Sequence, residues 1–293
     1  MSPRHVILIG AARSGTKIVR DTLAVATGAG TVPYDIGYVW RAGNESAPDD
    51  VLEPSQLSSK AQQFVAGFVD GYAAGVVPTV IEKTVGNSLR VPYVASAFPD
   101  AVFIHLIRDG VDVAESTRRQ WIAPTDWRYL ARKARHFPFR LVPGYGVRYA
   151  QSLASRVRRT DRRVGSWGPR YPGIDEDLAS EDLLVVCGRQ WKASVLHARQ
   201  AFASLDVPVL EVRYETLVRD PMSTIKEVAE FAELAVGSDS LGQAAASVTS
   251  ARVGAGRRAL EVSERAALGR ELDQLLDVCG YARCGDAMQN GVG

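Results

Sequence analysis

The sequence has few residues of the kinds that hold metals or build disulfide frameworks. Its 293 residues include only four histidines and three cysteines. Cys187, Cys279 and Cys284 are odd in number and lack the close spacing of metal ligands. We therefore expect three reduced thiols, a cytoplasmic location and no protein-bound metal.

Long apolar runs are also missing. No window approaches the roughly 20 apolar residues that span a bilayer. The amino-terminal run VILIGAA is short for a secretory signal and is explained as a first core strand. The chain has no repeat and no low-complexity tract, and 46% of its residues are hydrophobic, enough for one large core. We predict a single domain over residues 1–293.

Short runs rich in valine and isoleucine predict the fold class. They lie at about residues 5–9, 79–82, 102–107 and 208–212, and long helical stretches separate them. Such runs are typical of parallel strands buried on both faces. Alternating strands and helices predict an α/β fold, a three-layer sandwich with a central parallel sheet.

The first apolar run leads into a glycine-framed turn and then a helix. Gly10 and Gly15 have the separation of a phosphate-binding loop, G-x-x-x-x-G-K-[ST]. Here Thr16 precedes Lys17, so the hydroxyl that would hold magnesium comes one residue too early. Backbone amides of residues 14–17 and the positive end of the helix dipole would still attract an anion. An ordinary strand-to-helix turn is the structural alternative.

A second strand-to-helix turn lies in VFIHLIRDGVDVAES, residues 102–116. Asp109 is placed to cap the helix, so Arg108 stands at the carboxyl end of a buried strand and Ser116 lies in the helix. Ligands of open parallel sheets collect at that edge. An ion pair of Arg108 with Asp109 or Asp112 is the alternative.

Positive charge is concentrated in one part of the chain. The segment from Arg118 to Arg170 contains fourteen arginines and lysines but only two aspartates, which gives it a net charge of +12. The remainder of the chain therefore has a net charge of −10. Aromatic residues are interleaved with them. Such a segment could bind nucleic acid, an anionic glycan or an acidic membrane surface, or it could pair with acidic neighbours around an aromatic core.

Together the two turns resemble a specific family. ARSGTK is similar to the 5′-phosphosulfate loop of bacterial sulfotransferases that use 3′-phosphoadenosine-5′-phosphosulfate, and LIRDGVDVAES to their 3′-phosphate motif. Three further segments agree with the family in order: residues 82–109, VRYETLVRDP at 212–221 and GAGRRAL at 254–260. The resemblance covers most of residues 4–34, 79–120 and 186–282, and it implies a P-loop NTPase-like topology.

The resemblance also implies a set of donor-binding residues. The 5′ end of the nucleotide would lie on the first loop, and its 3′-phosphate beside the second motif and the Gly-Arg segment, a flap between two helical stretches. The residues implied in donor binding are Arg13, Ser14, Gly15, Thr16, Lys17, Arg108, Ser116, Tyr214, Gly256, Arg257 and Arg258.

Three residues are implied in catalysis. Arg13 stands where many members have a catalytic lysine, and as a permanently charged group it would stabilise the leaving oxygen without donating a proton. Cytosolic members have a histidine base where Val85 stands, whereas Golgi carbohydrate sulfotransferases have a glutamate at the position of Glu82. Glu82 would then take the acceptor's proton, with Lys83 beside it. A Glu82–Lys83 ion pair is the alternative.

The acceptor side is less defined. Tyr34, Tyr38 and Trp40 lie in a stretch similar to an acceptor loop of bacterial relatives and could stack on a sugar or phenol, or could be packing. We expect a carbohydrate, glycolipid or small-metabolite acceptor, with residues 118–175 as an acceptor-side lid that could touch an anionic membrane surface. We expect no nucleic-acid partner, and a homodimer is among the oligomeric states left open.

Two other functions compete with this interpretation. A small-molecule kinase with a degenerate P-loop would require magnesium and an aspartate at a strand end near the loop. A noncatalytic binder of nucleic acid or anionic surfaces, working through residues 118–170, would show steeply salt-dependent binding and no group transfer.

Overall fold

The computed structural model describes residues 2–123 and 167–286. The greater part of the basic segment, residues 124–166, therefore lies outside the described residues, and so does the prediction that it forms a lid.

Five parallel strands form the central sheet in the order β2-β3-β1-β4-β5. Their bounds are β1 (Arg4–Gly10), β2 (Gly30–Thr31), β3 (Thr79–Glu82), β4 (Val102–Ile107) and β5 (Val209–Arg213). The four predicted strands are confirmed. β2 has only two residues, too few to show an apolar pattern, and has no counterpart among them.

Helices follow and connect these strands. In the described ranges the α-helices are α1 (Thr16–Thr27), α2 (Gly37–Trp40), α3 (Ser59–Asp70), α4 (Val91–Ala97), α5 (Gly110–Ile122), α6 (Ile174–Ser180), α7 (Leu183–Ser204), α8 (Tyr214–Arg219), α9 (Pro221–Phe231), α10 (Ser238–Ala246), α11 (Ala255–Ala259) and α12 (Val262–Val278). Short 3₁₀ turns span Pro54–Gln56 and Val85–Leu89. Within these ranges, no helix combines the length and apolarity needed to cross a membrane.

Alternate residues of β1 face opposite layers, as the period of a strand requires. Val6 and Leu8 pack with α1, α9 and α10 on one face of the sheet. Ile7 and Ile9 pack with α3, α4 and part of α7 on the other. The predicted three-layer α/β sandwich is confirmed.

A third apolar cluster holds the turn between β4 and α5. It joins α5, α7 and α12. The indole Nε1 of Trp191 donates to the carbonyl oxygen of Arg108 at 3.0 Å. The Trp191 ring also lies so close to Gly110 that a Cβ there would be 2.8 Å from it. This packing fixes the direction in which Arg108 leaves the sheet.

The strand register brings several chain segments to one edge. Glu82 of β3 lies opposite Ile7 of β1, and Leu106 of β4 lies opposite Gly10. β5 is likewise parallel to β4 and ends beside it. Because all strands run the same way, the residues that follow β1, β3, β4 and β5 meet at the carboxyl edge of the sheet.

Candidate active site

The loop between β1 and α1 forms a cradle of backbone amide groups. Gly15 has a φ of +99°, in the left-handed region, and directly precedes α1. The buried Ser14 hydroxyl donates to the carbonyl oxygen of Ala11 at 2.6 Å and fixes the turn. Within the described residues, no hydrogen-bond partner is found for the amides of Gly15, Thr16 and Lys17. Amides at a helix N-terminus are typical of sites that bind anions.

The side chains of the first helical residues contribute less than their amides. The Lys17 ammonium lies 2.5 Å from Asp21 Oδ2, and its side chain is 73% exposed. Thr16 is buried, with its methyl group close to Gly10. Lys17 can therefore bind an anion through its amide, while its charge is directed to Asp21.

Arg13 joins the loop to the second predicted motif. It adopts a φ of +69°, unusual for a residue with a side chain, and its Nε donates to Ser116 Oγ at 3.0 Å. Partial burial, and then the charges of Arg108, Arg119 and Arg252, lower the pKa of the guanidinium, which nevertheless stays protonated. Two residues predicted for opposite ends of one nucleotide thus meet in a common positive field.

Arg108 lies where β4 ends and is buried. Its NH1 donates to the carbonyl oxygen of Arg13 at 3.1 Å, and its NH2 to the carbonyl oxygen of Arg252 at 2.7 Å. The ion pair with Asp112, one of the alternatives open from the sequence, is present at 3.3 Å. Its buried Nε has no partner among the described residues, so the Nε N–H is left unsatisfied.

Tyr214 covers the loop from the side of β5. Its ring lies so close to Gly15 that a Cβ at that glycine would be 2.6 Å from it. The guanidinium carbon of Arg108 lies 4.3 Å from the ring centroid, a cation–π contact. The ring is buried, and burial raises the pKa of its hydroxyl. Tyr214 therefore links both anion-binding motifs, and its contact with adenine stays a prediction.

Asp112 fastens the Gly-Arg segment to α5. The amides of Gly254 and Gly256 donate to its two carboxylate oxygens, each at 2.7 Å. A Cβ on Gly256 would lie 2.7 Å from the Cα of Asp112 and 2.8 Å from the carbonyl oxygen of Val111. Only glycine allows this approach. The Gly-Arg segment, predicted to be a flap between two helical stretches, contains the short helix α11.

We expect Gly256→Ala to weaken nucleotide binding by about tenfold or more and to destabilise the fold by about 1–3 kcal/mol. Its new methyl group would meet backbone atoms, which cannot move aside as a side chain can. Calorimetry and urea denaturation measure the two effects. Gly242→Ala is the matched control, because nothing lies within 4 Å of a Cβ there. Equal behaviour of the two variants would contradict the prediction.

The two arginines predicted in this segment differ in their surroundings. Arg257 is buried, and its three nitrogens donate to Asp109 Oδ2 and the carbonyl oxygens of Ala282 and Arg283 at 2.5–2.8 Å. To bind a phosphate, the Arg257 guanidinium would have to break these three hydrogen bonds. Contact between Arg257 and the donor therefore stays a prediction. Arg258 is exposed.

Arg252 was missed by sequence reasoning. Its carbonyl oxygen accepts from Arg108, and its charge acts on Arg13 and Tyr214. It lies two residues before Gly254, outside the quoted motif, so no spacing rule indicates it. The structure therefore adds Arg252 to the positive charges that surround Arg13 and Tyr214.

Glu82 ends β3 and is completely buried. Its Oε1 accepts from Thr84 Oγ1 at 2.6 Å and Trp40 Nε1 at 3.2 Å, and its Oε2 from Asn87 Nδ2 at 3.1 Å. Burial outweighs these hydrogen bonds and raises the pKa of Glu82 to about 7. The value suits a base, but the side chain is enclosed by protein groups.

This burial predicts a stability that falls as pH rises. The folded pKa of about 7 exceeds the ordinary 4.5, so folding favours the protonated form. Protonated Glu82 stabilises the fold fully below about pH 4.5, and this stabilisation is lost as pH rises to about 7. The loss amounts to about 3 kcal/mol, at 1.4 kcal/mol per pKa unit. Glu82→Gln removes this titration, so the free energies of unfolding of the two proteins, measured in urea from pH 5 to 8, should show different slopes. Parallel slopes would refute the prediction.

Lys83 pairs with a carboxylate that sequence reasoning missed. Its Nζ lies 3.0 and 3.2 Å from the two carboxylate oxygens of Asp35, so the Glu82–Lys83 ion pair left open from the sequence is not the one formed. Asp35 Oδ1 also accepts from the amide of Val85 at 3.1 Å. Asp35 precedes α2, far from Lys83 in sequence, and no local pattern connects them.

The predicted acceptor aromatics are all covered in this arrangement. Tyr34 and Tyr38 are 3% exposed, with their hydroxyl oxygens 3.3 Å apart. Trp40 donates to Glu82 and packs edge-on against Phe98 at 5.7 Å between ring centroids. These contacts correspond to the alternative in which the three rings pack within the protein. Stacking on an acceptor stays a prediction for these rings.

The described ends of the basic segment pair with acidic residues. Arg118 Nη1 lies 2.5 Å from Glu264 Oε1, and Arg170 Nη2 lies 2.5 Å from Asp175 Oδ2. At these ends the alternative of acidic neighbours within the chain is therefore realised.

The side chains that could bind a metal do not cluster in the described structure. The three cysteines are buried and unpaired. Across residues 2–123 and 167–286, no grouping of three histidine, cysteine, aspartate or glutamate side chains could hold a metal ion.

Comparisons with known proteins agree with this arrangement. The model of the sulfotransferase family matches residues 40–166. The fold is similar to that of sulfotransferase STF9 from Mycobacterium avium, with 13% identity and a TM-score of 0.53 over 98% of this chain and 79% of that one. It is also similar to the sulfotransferase domain of the Synechococcus PCC 7002 olefin synthase, with 16% identity and a TM-score of 0.51 over 96% and 95% of the two chains.

No curated protein sequence matches the chain significantly. At these identities the two solved structures show a shared fold, P-loop NTPase-like as predicted. The predicted resemblance is thereby confirmed: the sulfotransferase family model matches residues 40–166, and the fold is similar to those of bacterial sulfotransferases.

Proposed function

We propose that this protein transfers a sulfuryl group from 3′-phosphoadenosine-5′-phosphosulfate to a hydroxyl or amine of an acceptor. The observation that carries the proposal is the contact between the two anion-binding motifs. Arg13 of the loop bonds Ser116 of α5, and Arg108 bonds the backbone of Arg13. A ligand held here meets one continuous positive surface with two anion positions.

The loop suits the sulfated end of such a donor. The amides of Gly15, Thr16 and Lys17 lie at the N-terminus of α1 without hydrogen-bond partners in the described structure, and Arg13 lies in the same loop. Ser14 stabilises the turn from within. No step in this transfer calls for a metal, because a sulfuryl group carries less charge than a phosphoryl group and fixed dipoles and guanidinium groups can neutralise it.

The second motif suits a 3′-phosphate. Arg108 has an unpartnered Nε, and a planar guanidinium matches phosphate oxygens better than an ammonium does. Ser116 is placed to share its hydroxyl between Arg13 and a ligand. Arg252 adds positive charge that acts on Arg13. This set is the reason we propose a doubly anionic adenosine donor and not a simple 5′-phosphate.

Chemistry would take place between the loop and Lys83. In sulfuryl transfer, negative charge grows on the oxygen that joins the sulfuryl group to the departing nucleotide. Among the cations at this edge, we assign the stabilisation of this charge to Arg13 and Lys83. The acceptor's proton would pass to Glu82, which neighbours Lys83 in sequence, or to Asp35, which pairs with it.

The proposed class of acceptor follows from the residue that ends β3. The glutamate that ends β3 favours a carbohydrate, glycolipid or small-metabolite hydroxyl, because it matches the Golgi carbohydrate sulfotransferases. Buried, unpaired thiols favour a reducing compartment, so we propose that the reaction occurs in the cytoplasm.

A transfer assay tests this function. The full chain is incubated in EDTA with donor labelled in its sulfuryl sulfur and with a panel of sugars, phenols and amines. We expect acceptor-dependent transfer of label and equal release of 3′-phosphoadenosine-5′-phosphate. Transfer from ATP that EDTA abolishes would show a kinase instead, and salt-sensitive binding without any transfer would show a noncatalytic binder.

A further inference from the structure

Two carboxylates lie near Lys83, and they differ in access. Glu82 is 0% exposed, and its oxygens accept hydrogen bonds from Thr84, Trp40 and Asn87. An acceptor molecule could reach it only by displacing a buried indole or amide. The side chain of Asp35 is 34% exposed. The carboxylate that an incoming molecule can touch is therefore Asp35.

The position of Asp35 is fixed by the end of β3. Its Oδ1 accepts from the amide of Val85 at 3.1 Å, and both oxygens lie within 3.2 Å of Lys83 Nζ. The next residue is held as well, because the amide of Ile36 donates to Thr84 Oγ1 at 3.0 Å. Within the described residues, Asp35 Oδ2 has no partner other than Lys83. This oxygen retains lone pairs for a proton.

Asp35 also lies at the correct edge of the sheet. β1 and β3 are neighbours, with Ile7 opposite Glu82. Three residues further on, Gly10 begins the anion loop and Val85 holds Asp35. The Asp35–Lys83 pair is therefore placed beside the loop, on the side opposite the β4 strand that carries Arg108.

We infer that Asp35 is the base that accepts the proton of the acceptor, and that Glu82 is a buried support for the loop that carries Trp40. As the acceptor oxygen attacks sulfur, Asp35 Oδ2 takes its proton. A bond forms between sulfur and the acceptor oxygen, the bond from sulfur to the bridging oxygen breaks, and its electron pair stays on the departing nucleotide. Lys83 holds the carboxylate of Asp35 in place. The inference rests on the proposed function.

The test compares Asp35→Asn and Glu82→Gln in the full chain. Water is the acceptor probe, so the readout is the single-turnover release of labelled sulfate from bound donor. Calorimetry with 3′-phosphoadenosine-5′-phosphate reports nucleotide affinity separately. We expect Asp35→Asn to slow transfer by about a hundredfold or more, as loss of a general base does, with nucleotide affinity changed less than about twofold. Asp35→Glu should recover part of the rate.

Asp70→Asn is the matched control. Asp70 also pairs with a basic side chain, His5, but at the opposite end of β1. We expect normal transfer from it, and from Glu82→Gln a smaller loss per folded molecule than from Asp35→Asn. Normal transfer by Asp35→Asn, or a larger loss in Glu82→Gln at unchanged affinity, would overturn the inference alone. Failure of the unmodified protein to bind the nucleotide would overturn the proposed function together with it.

Discussion

Replacing Arg108 by alanine is expected to weaken binding of 3′-phosphoadenosine-5′-phosphate by about a hundredfold or more, and that of adenosine 5′-phosphate by no more than a few-fold. Hydrogen bonds to charged groups contribute about 1.5–3 kcal/mol each, and a guanidinium can direct two at one phosphate. Arg108 has a buried Nε without a partner in the described structure, and its charge is poorly screened by water. The measurement is calorimetry with both nucleotides.

Arg108 also has structural contacts, so the comparison of two nucleotides is essential. Loss of its bonds to the backbone of Arg13 and Arg252 would impair both ligands alike. Arg108→Lys keeps the charge without the planar fork and should give an intermediate affinity for the 3′-phosphate. Arg199→Ala is the control, because Arg199 pairs with Glu211 near the surface. Equal losses for both nucleotides would contradict a 3′-phosphate site at Arg108.

Replacing Lys83 by methionine is expected to lower turnover by about a hundredfold to a thousandfold, the usual effect of removing a group that stabilises charge in a transition state. Lys83 is 8% exposed at the end of β3, so its charge acts through little solvent. Methionine preserves most of the buried volume. Removing the lysine also leaves Asp35 without its ion-pair partner. Steady-state transfer kinetics and nucleotide calorimetry provide the measurement.

A split between rate and affinity distinguishes this role from a structural one. We expect nucleotide affinity to fall less than about fivefold in Lys83→Met. Lys60→Met, on the exposed side of α3, is the control and should keep normal kinetics. Turnover of Lys83→Met within about threefold of normal would show that Lys83 does not stabilise the leaving oxygen.

The parts of the site that follow from local pattern could be predicted from the sequence. Asp109 caps α5 through the amides of Val111 and Asp112, as its position before an apolar helix indicates. The strand-to-helix turns place Arg108 and Ser116 as expected, since short apolar runs and a cap define where each element begins and ends. The order of the strands could not be read from any one run.

The partners that come from distant segments could not be predicted. Asp35 and Lys83 are 48 residues apart, and Asp112 and Gly256 are 144 apart. Their contacts result from the order of the strands and from the path of the segment after α10. The same reason explains Arg257, which is held by carbonyl groups beyond α12. Sequence patterns report the short-range part of such a site.

Calorimetric titration of the full chain in EDTA with 3′-phosphoadenosine-5′-phosphate, adenosine 5′-phosphate and ATP tests most directly whether one adenosine donor spans both positive motifs. A bridge from the loop to Arg108 predicts that the doubly phosphorylated nucleotide binds at least about a hundredfold more tightly than adenosine 5′-phosphate, a difference of about 2.8 kcal/mol. Equal affinity for these two nucleotides, or binding of ATP alone and only after magnesium is restored, would contradict it.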